Sequence, residues 1–86
     1  MAKSFTFSMG GRDPSAVVEK ARRVATKYKA TFSGDEELGG FSGSLAGGKF
    51  AGGYRIEGQR IIVTISNKPW TVPWFAVETT LREFFQ

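Results

Sequence analysis

The sequence predicts a single α+β domain spanning residues 1–86, a curved antiparallel meander in the order β-α-β-β-β-α with two helices packed on one face. Three observations lead there. A helical apolar periodicity occurs twice, once after the first dozen residues and once at the end of the chain. A strict two-residue alternation opens the chain. Between the helices, the glycine-rich run FSGSLAGGKFAGGYRIEG sorts all its bulky residues onto one side once two tight turns are placed in it. A chain of 86 residues, 41% of them hydrophobic and eight of them Phe, holds one small core and no second domain.

Lys3 to Ser8 places Phe5 and Phe7 on one side and Ser4, Thr6 and Ser8 on the other, as in a half-buried strand. MGGRDP then breaks the alternation. Asp13 before Pro14 is a helix start, since the carboxylate caps the free N–H groups and proline lacks one that would go unused. Val17, Ala21, Val24, Ala25 and Tyr28 form the buried stripe of a helix expected to end near Ala30. The opposite side carries Lys20, Arg22, Arg23, Lys27 and Lys29 against Glu19 alone. Two readings fit this face: a solvated surface suited to the helix dipole, or an anion-binding surface centred on Lys20, Arg23 and Lys27.

Thr31 to Ser33 is expected as a short strand, so the meander has three or four strands, and GDEELGG as an acidic loop. Asp35, Glu36 and Glu37 lack both the enclosed pocket of a catalytic carboxylate pair and the ligand spacing of an EF-hand. A turn at Gly58-Gln59 pairs Glu57 with Arg60, Ile56 with Ile61, Tyr54 with Val63 and Gly52 with Ile65. A turn at Gly47-Gly48 pairs Leu45 with Phe50, Gly43 with Gly52 and Phe41 with Tyr54. On this register Gly43 and Gly52 lie side by side on the apolar face and leave a trough, filled either by a core aromatic or by a ligand. The run is no phosphate loop, because its glycines are followed by Tyr54 and a strand instead of Lys, Ser or Thr and a helix.

Asn67, Lys68 and Pro69 close the last strand. Thr71 is the expected cap of the second helix, with Pro73 in its first turn and Trp74, Val77, Leu81 and Phe84 or Phe85 as its apolar stripe. Trp70 and Phe75 have the spacing of a hydrophobic staple. Alternatively, Trp70 and Trp74 beside Lys68 form an amphipathic rim facing an apolar partner.

The absence of His and Cys removes disulfides, the commonest zinc ligands and the commonest near-neutral base. No catalytic residue, metal ligand or cofactor is read from the sequence, and the chain is expected not to be an enzyme. Twelve basic against eight acidic residues give +4, a bias toward anionic partners. No signal-peptide-like or membrane-spanning run is present, and a cytoplasmic protein is expected.

Phe41, Ser42 and Gly43, then Gly53 and Tyr54, then Lys68 and Pro69 ahead of a final helix, make most of the chain resemble a family of small bacterial polyhydroxyalkanoic acid system proteins linked to granule-associated gene regions. The resemblance implies the same strand-helix-meander-helix order and association with polymer granules or hydrophobic ligands, with no catalytic residues. Three functions follow as expectations. The first is non-enzymatic binding of a hydrophobic ligand or granule surface through Gly43, Gly52, Lys68, Trp70 and Trp74. The second is nucleic-acid binding through Lys20, Arg23 and Lys27, and the third is a homo-oligomeric interaction subunit.

Overall fold

A computed structural model describes residues 2–45 and 48–85, apart from the side chains of Leu45 and Phe84. The elements are β1 (Lys3–Ser8), α1 (Pro14–Lys27), β2 (Thr31–Gly34), β3 (Leu38–Leu45), β4 (Gly48–Glu57), β5 (Arg60–Asn67) and α2 (Trp74–Phe85). The sheet is antiparallel throughout, in the order β1-β5-β4-β3-β2. Strands β2 to β5 form a four-stranded meander, and β1 returns to the far edge against β5. Both helices contribute buried apolar residues to one core, Val17, Val18, Ala21 and Ala25 from α1 and Val77, Leu81 and Phe85 from α2. They meet Phe7, Phe41, Tyr54, Ile61, Val63 and Ile65 on the inner face of the sheet.

Helix α1 begins as its sequence dictates, the Asp13 carboxylate accepting the Ser15 N–H at 3.0 Å. Its end comes at Lys27, three residues before the expected stop. The Ala30 N–H donates to Ala25 O at 2.8 Å and the Lys29 N–H to Thr26 O at 3.1 Å, a Schellman closure with Lys29 left-handed at φ 59°. The chain must turn there to enter β2, and glycine is not available to do it. Tyr28, expected on the buried stripe, is the cap residue and is half exposed.

Only Asp35–Glu37 remains as the acidic turn, since Gly34 closes β2 and Leu38 opens β3. The Gly58-Gln59 hairpin pairs as its residues predict, with Gly58 at φ 63°. The neighbouring hairpin differs by two residues. Leu45 pairs with Gly48, Gly43 with Phe50, Phe41 with Gly52 and Gly39 with Tyr54, so Gly43 and Gly52 are not opposite one another. The expected Gly47-Gly48 turn lies partly outside the described residues, and Gly48 itself is the first residue of β4. A two-residue displacement keeps every side chain on its predicted face while exchanging its partner.

The result is an alternation of glycine and aromatic residues across the two strands. A Cβ on Gly39 would stand 2.5 Å from Cε2 of Tyr54, one on Gly52 3.0 Å from Cζ of Phe41, and one on Gly43 3.0 Å from Cε1 of Phe50. Each ring lies over the backbone of the strand opposite, which is why the sequence has glycine there. The β4-β5 ladder carries a bulge in which Ser66 is the extra residue, its hydroxyl donating to Ala51 O at 3.2 Å.

Helix α2 starts at Trp74, and the Pro73 carbonyl accepts the first helical N–H groups, from Ala76 and Val77. Thr71 therefore is not the cap. It sits in a turn closed by the Val72 N–H on Pro69 O at 3.1 Å. The staple positions shift accordingly from Trp70 and Phe75 to Val72 and Val77, both buried. Trp70 and Phe75 are 89% and 74% exposed. The far end of α2 is tied to the β1-α1 loop by Arg12, which donates to Phe85 O at 2.9 Å and to Met9 O at 2.8 Å.

Candidate functional site

The glycine trough anticipated between Gly43 and Gly52 is filled by the protein itself. Phe50 covers Gly43 and Phe41 covers Gly52; the two rings lie 6.3 Å apart, and Phe85 from α2 packs 6.4 Å from Phe41 and 5.8 Å from Tyr54. The space above the two glycines is thus core. Trp74 takes no part in it. Its ring lies at the β1 side, 6.0 Å from Phe5, with the ammonium groups of Lys3 and Lys68 at 5.4 and 5.1 Å from its centroid.

Beside this aromatic layer the structure opens. A cavity of about 290 Å³ lies between α2 and strands β3 to β5, walled by Phe41, Phe50, Ile65, Val72, Val77 and Leu81. Each wall has a local cause. Val77 and Leu81 are one helical turn apart on the buried stripe of α2, and Val72 is held against them as the staple residue of the Pro69–Val72 turn. Phe41 and Phe50 occupy inward positions of β3 and β4, and the glycines opposite them leave room for their rings. Pro69 closes over Gly48, where a Cβ would stand 2.8 Å from the proline ring. Polar atoms reach the cavity from Tyr28, Lys68, Thr80 and Glu83, among others, none of the four fully buried.

Lys68 is the sequence-predicted site residue that lies in this wall. Its Nζ donates to Val72 O at 2.7 Å and to Pro69 O at 3.3 Å, which fixes the ammonium beside the turn it closes. The Tyr28 hydroxyl stands 3.4 Å from the Glu83 carboxylate and joins the end of α1 to α2 across the cavity. Thr80 donates its hydroxyl back to Ala76 O at 3.0 Å, so the helix takes up that proton. Trp70 and Trp74 are not among the lining residues.

Lys20, Arg23 and Lys27 remain on α1, and none of the three forms an ion pair among the described residues. The Lys27 ammonium lies 5.7 Å from the Tyr28 ring. Arg22, on the same helix, pairs with Glu19 and crosses to Gly34 O and the Phe32 ring. The acidic turn is structural. The Asp35 carboxylate accepts the N–H groups of Glu37 and Leu38 at 2.8 and 3.1 Å, and these bonds hold its pKa below the usual 3.8. Tyr54 reaches the same turn, donating its hydroxyl to Asp35 O at 2.7 Å; burial first, and the Asp35 charge second, raise its pKa above 10.0.

Among the described residues no group of three or more acidic side chains is placed to hold a metal, and no helix is long and apolar enough to cross a membrane. The cavity was not legible as such, although the Val72 to Val77 spacing that frames it is present in the sequence. Comparison with family models, characterised proteins and solved structures finds no match to this chain.

Proposed function

We propose that this protein is a non-enzymatic binding module whose ligand inserts an aliphatic chain between α2 and the sheet. The observation that supports it is the cavity of about 290 Å³, mostly apolar along its walls, with polar side chains at Tyr28, Ser44, Lys68, Thr80 and Glu83. Small-molecule sites have this character, concave and mostly apolar with a few polar groups that orient the ligand. An engineered apolar cavity of about 150 Å³ accepts benzene, so this one has room for about twice as many carbon atoms.

The resemblance to polyhydroxyalkanoic acid system proteins supports an apolar partner, and the exposed Trp70 and Phe75 extend apolar surface on the segment that leads into α2 and on its first turn. A granule surface is the extended form of the same reading, and a cytoplasmic setting, which the absence of Cys favours, belongs to it. Nucleic-acid binding is the weaker reading. The described residues on the uncovered face of the sheet, such as Ser42, Ala51, Gly53, Ile62 and Thr64, include no aromatic ring on which a base could stack.

The test is a chain-length series of straight-chain carboxylates from hexanoate to dodecanoate, followed by tryptophan fluorescence and calorimetry. Saturable one-to-one binding is expected, strengthening about fourfold per methylene until the cavity is full. Affinity independent of chain length, or no saturable binding at any length, would remove the proposal.

A further inference from the structure

We infer that the cavity selects an amphiphile with a carboxylate headgroup, and that Lys68 is the residue that recognises it. The inference rests on the apolar-ligand reading above and adds the chemistry of the exposed end.

The Lys68 ammonium is half-buried beside an apolar wall, yet both acceptors it uses, Val72 O and Pro69 O, are neutral carbonyls. An ammonium has three donors, and these bonds use two. Neither a carbonyl nor the face of Trp74 at 5.1 Å neutralises its charge. The ion pairs among the described residues are Arg22 with Glu19, Arg55 with Glu57 and Arg82 with Glu78, so no carboxylate among the described residues is paired with Lys68. Lys3 adds a second ammonium 5.4 Å from the same indole, which makes the potential around Trp74 more positive.

Pro69 and Val72, the residues whose carbonyls hold Lys68, themselves line the cavity. A ligand chain packed against Val72, Val77 and Leu81 therefore brings its headgroup to the third donor of a cation already held in position. The charged acceptor makes that bond roughly twice as strong as a neutral one. Glu83 is the acidic side chain among the described lining residues, and it stands within 3.4 Å of the Tyr28 hydroxyl. It defines the rival outcome, a cationic headgroup.

Calorimetric titration of the unmodified protein with decanoate, decanol and decylamine decides between them. Decanoate is expected to bind at least about tenfold more tightly than decanol, with decylamine weakest. Decanol equal to decanoate, or decylamine tightest, overturns the assignment while leaving an apolar site standing. Failure of all three to bind saturably would overturn the apolar-ligand reading together with this one.

Lys68→Met should bring the decanoate-to-decanol ratio to about one, with the far-ultraviolet spectrum recording that the fold is kept. Glu83→Gln does not touch the turn and should leave the preference for carboxylate at or above its original value. A ratio unchanged in Lys68→Met, or one abolished in Glu83→Gln, counts against Lys68.

Discussion

Gly39 and Gly40 are adjacent in β3, yet the same substitution should move stability in opposite directions at the two positions. A Cβ at Gly39 would stand 2.5 Å from Tyr54 Cε2, 2.6 Å from the Tyr54 hydroxyl oxygen and 2.6 Å from Ser33 O. Little there can yield. The Tyr54 hydroxyl is held by Asp35 O at 2.7 Å, its ring stacks on Phe32 at 5.6 Å and meets Phe85 at 5.8 Å, and Ser33 O belongs to the backbone of β2. Overpacking of this kind costs about 1–3 kcal/mol, against which alanine recovers about 0.5–1 kcal/mol of strand preference over glycine.

Because its neighbours cannot yield, Gly39→Ala should fall in the upper half of that difference and destabilise by about 1–2 kcal/mol, a fall in Tm of roughly 4–16 °C at 4–8 °C per kcal/mol in a domain of this size. At Gly40, on the other side of the sheet, the nearest atom to a new Cβ is Gly52 O at 3.5 Å, an ordinary contact. Gly40→Ala should gain up to about 0.5–1 kcal/mol and raise Tm by a few degrees. Thermal and urea unfolding followed by circular dichroism reads both variants. If the two alanines shift stability in the same direction, the account of glycine as the seat for an opposing ring is refuted.

Lys29→Gly should stabilise the protein by about 1 kcal/mol, because it relieves a left-handed conformation that costs a non-glycine residue about 1–2 kcal/mol; Lys29→Ala, which keeps that cost, should show no such gain in urea unfolding. Arg12→Met should cost about 2 kcal/mol and speed hydrogen exchange at the end of α2, since it removes charged donors from Met9 O and Phe85 O. Tyr54 has its pKa raised above 10.0 in the fold, so the stability held in its neutral phenol is fully present below about pH 10 and is lost as pH rises through the raised value. Stability measured across that alkaline range should fall in the parent protein and fall less in Tyr54→Phe, which also loses about 1 kcal/mol at neutral pH with its bond to Asp35 O.

Local pattern was sufficient where a few adjacent residues decide the structure. The alternation of Phe5 and Phe7, the Asp13-Pro14 start and the Gly58-Gln59 turn are each written in two to six residues, and each forms as written. The four-stranded meander follows from the short connections between β2, β3, β4 and β5. The place of β1 beside β5 joins residues about sixty positions apart, and no local pattern specifies that pairing.

Where several residues compete for one role, the sequence leaves a choice that only tertiary contacts make. Glycines at 47 and 48 invite a turn on themselves, but Gly48 is needed within β4, where Pro69 packs on it. Thr71 has the better capping side chain, yet Pro73 takes the cap position of α2, with Val72 drawn into the core beside Val77. Lys68 was legible as a candidate because it stands beside two tryptophans. Its actual setting, over one of them and against the carbonyls of a turn, depends on where Pro69 and Val72 come to rest. The cavity depends on the distance between α2 and the sheet, which no spacing within a single element encodes.

The alternation along β3 and β4 keeps the volume of each inner-face rung nearly constant at one ring and one bare Cα: Gly39 with Tyr54, Phe41 with Gly52, Gly43 with Phe50. A slip of two residues preserves the hydrophobic face and would escape selection by polarity alone. It would also set Phe41 against Tyr54 and Gly43 against Gly52, crowding one rung with two rings and emptying the next. Shape thus rejects a misalignment that hydrophobicity tolerates, and the hairpin carries its own check on register.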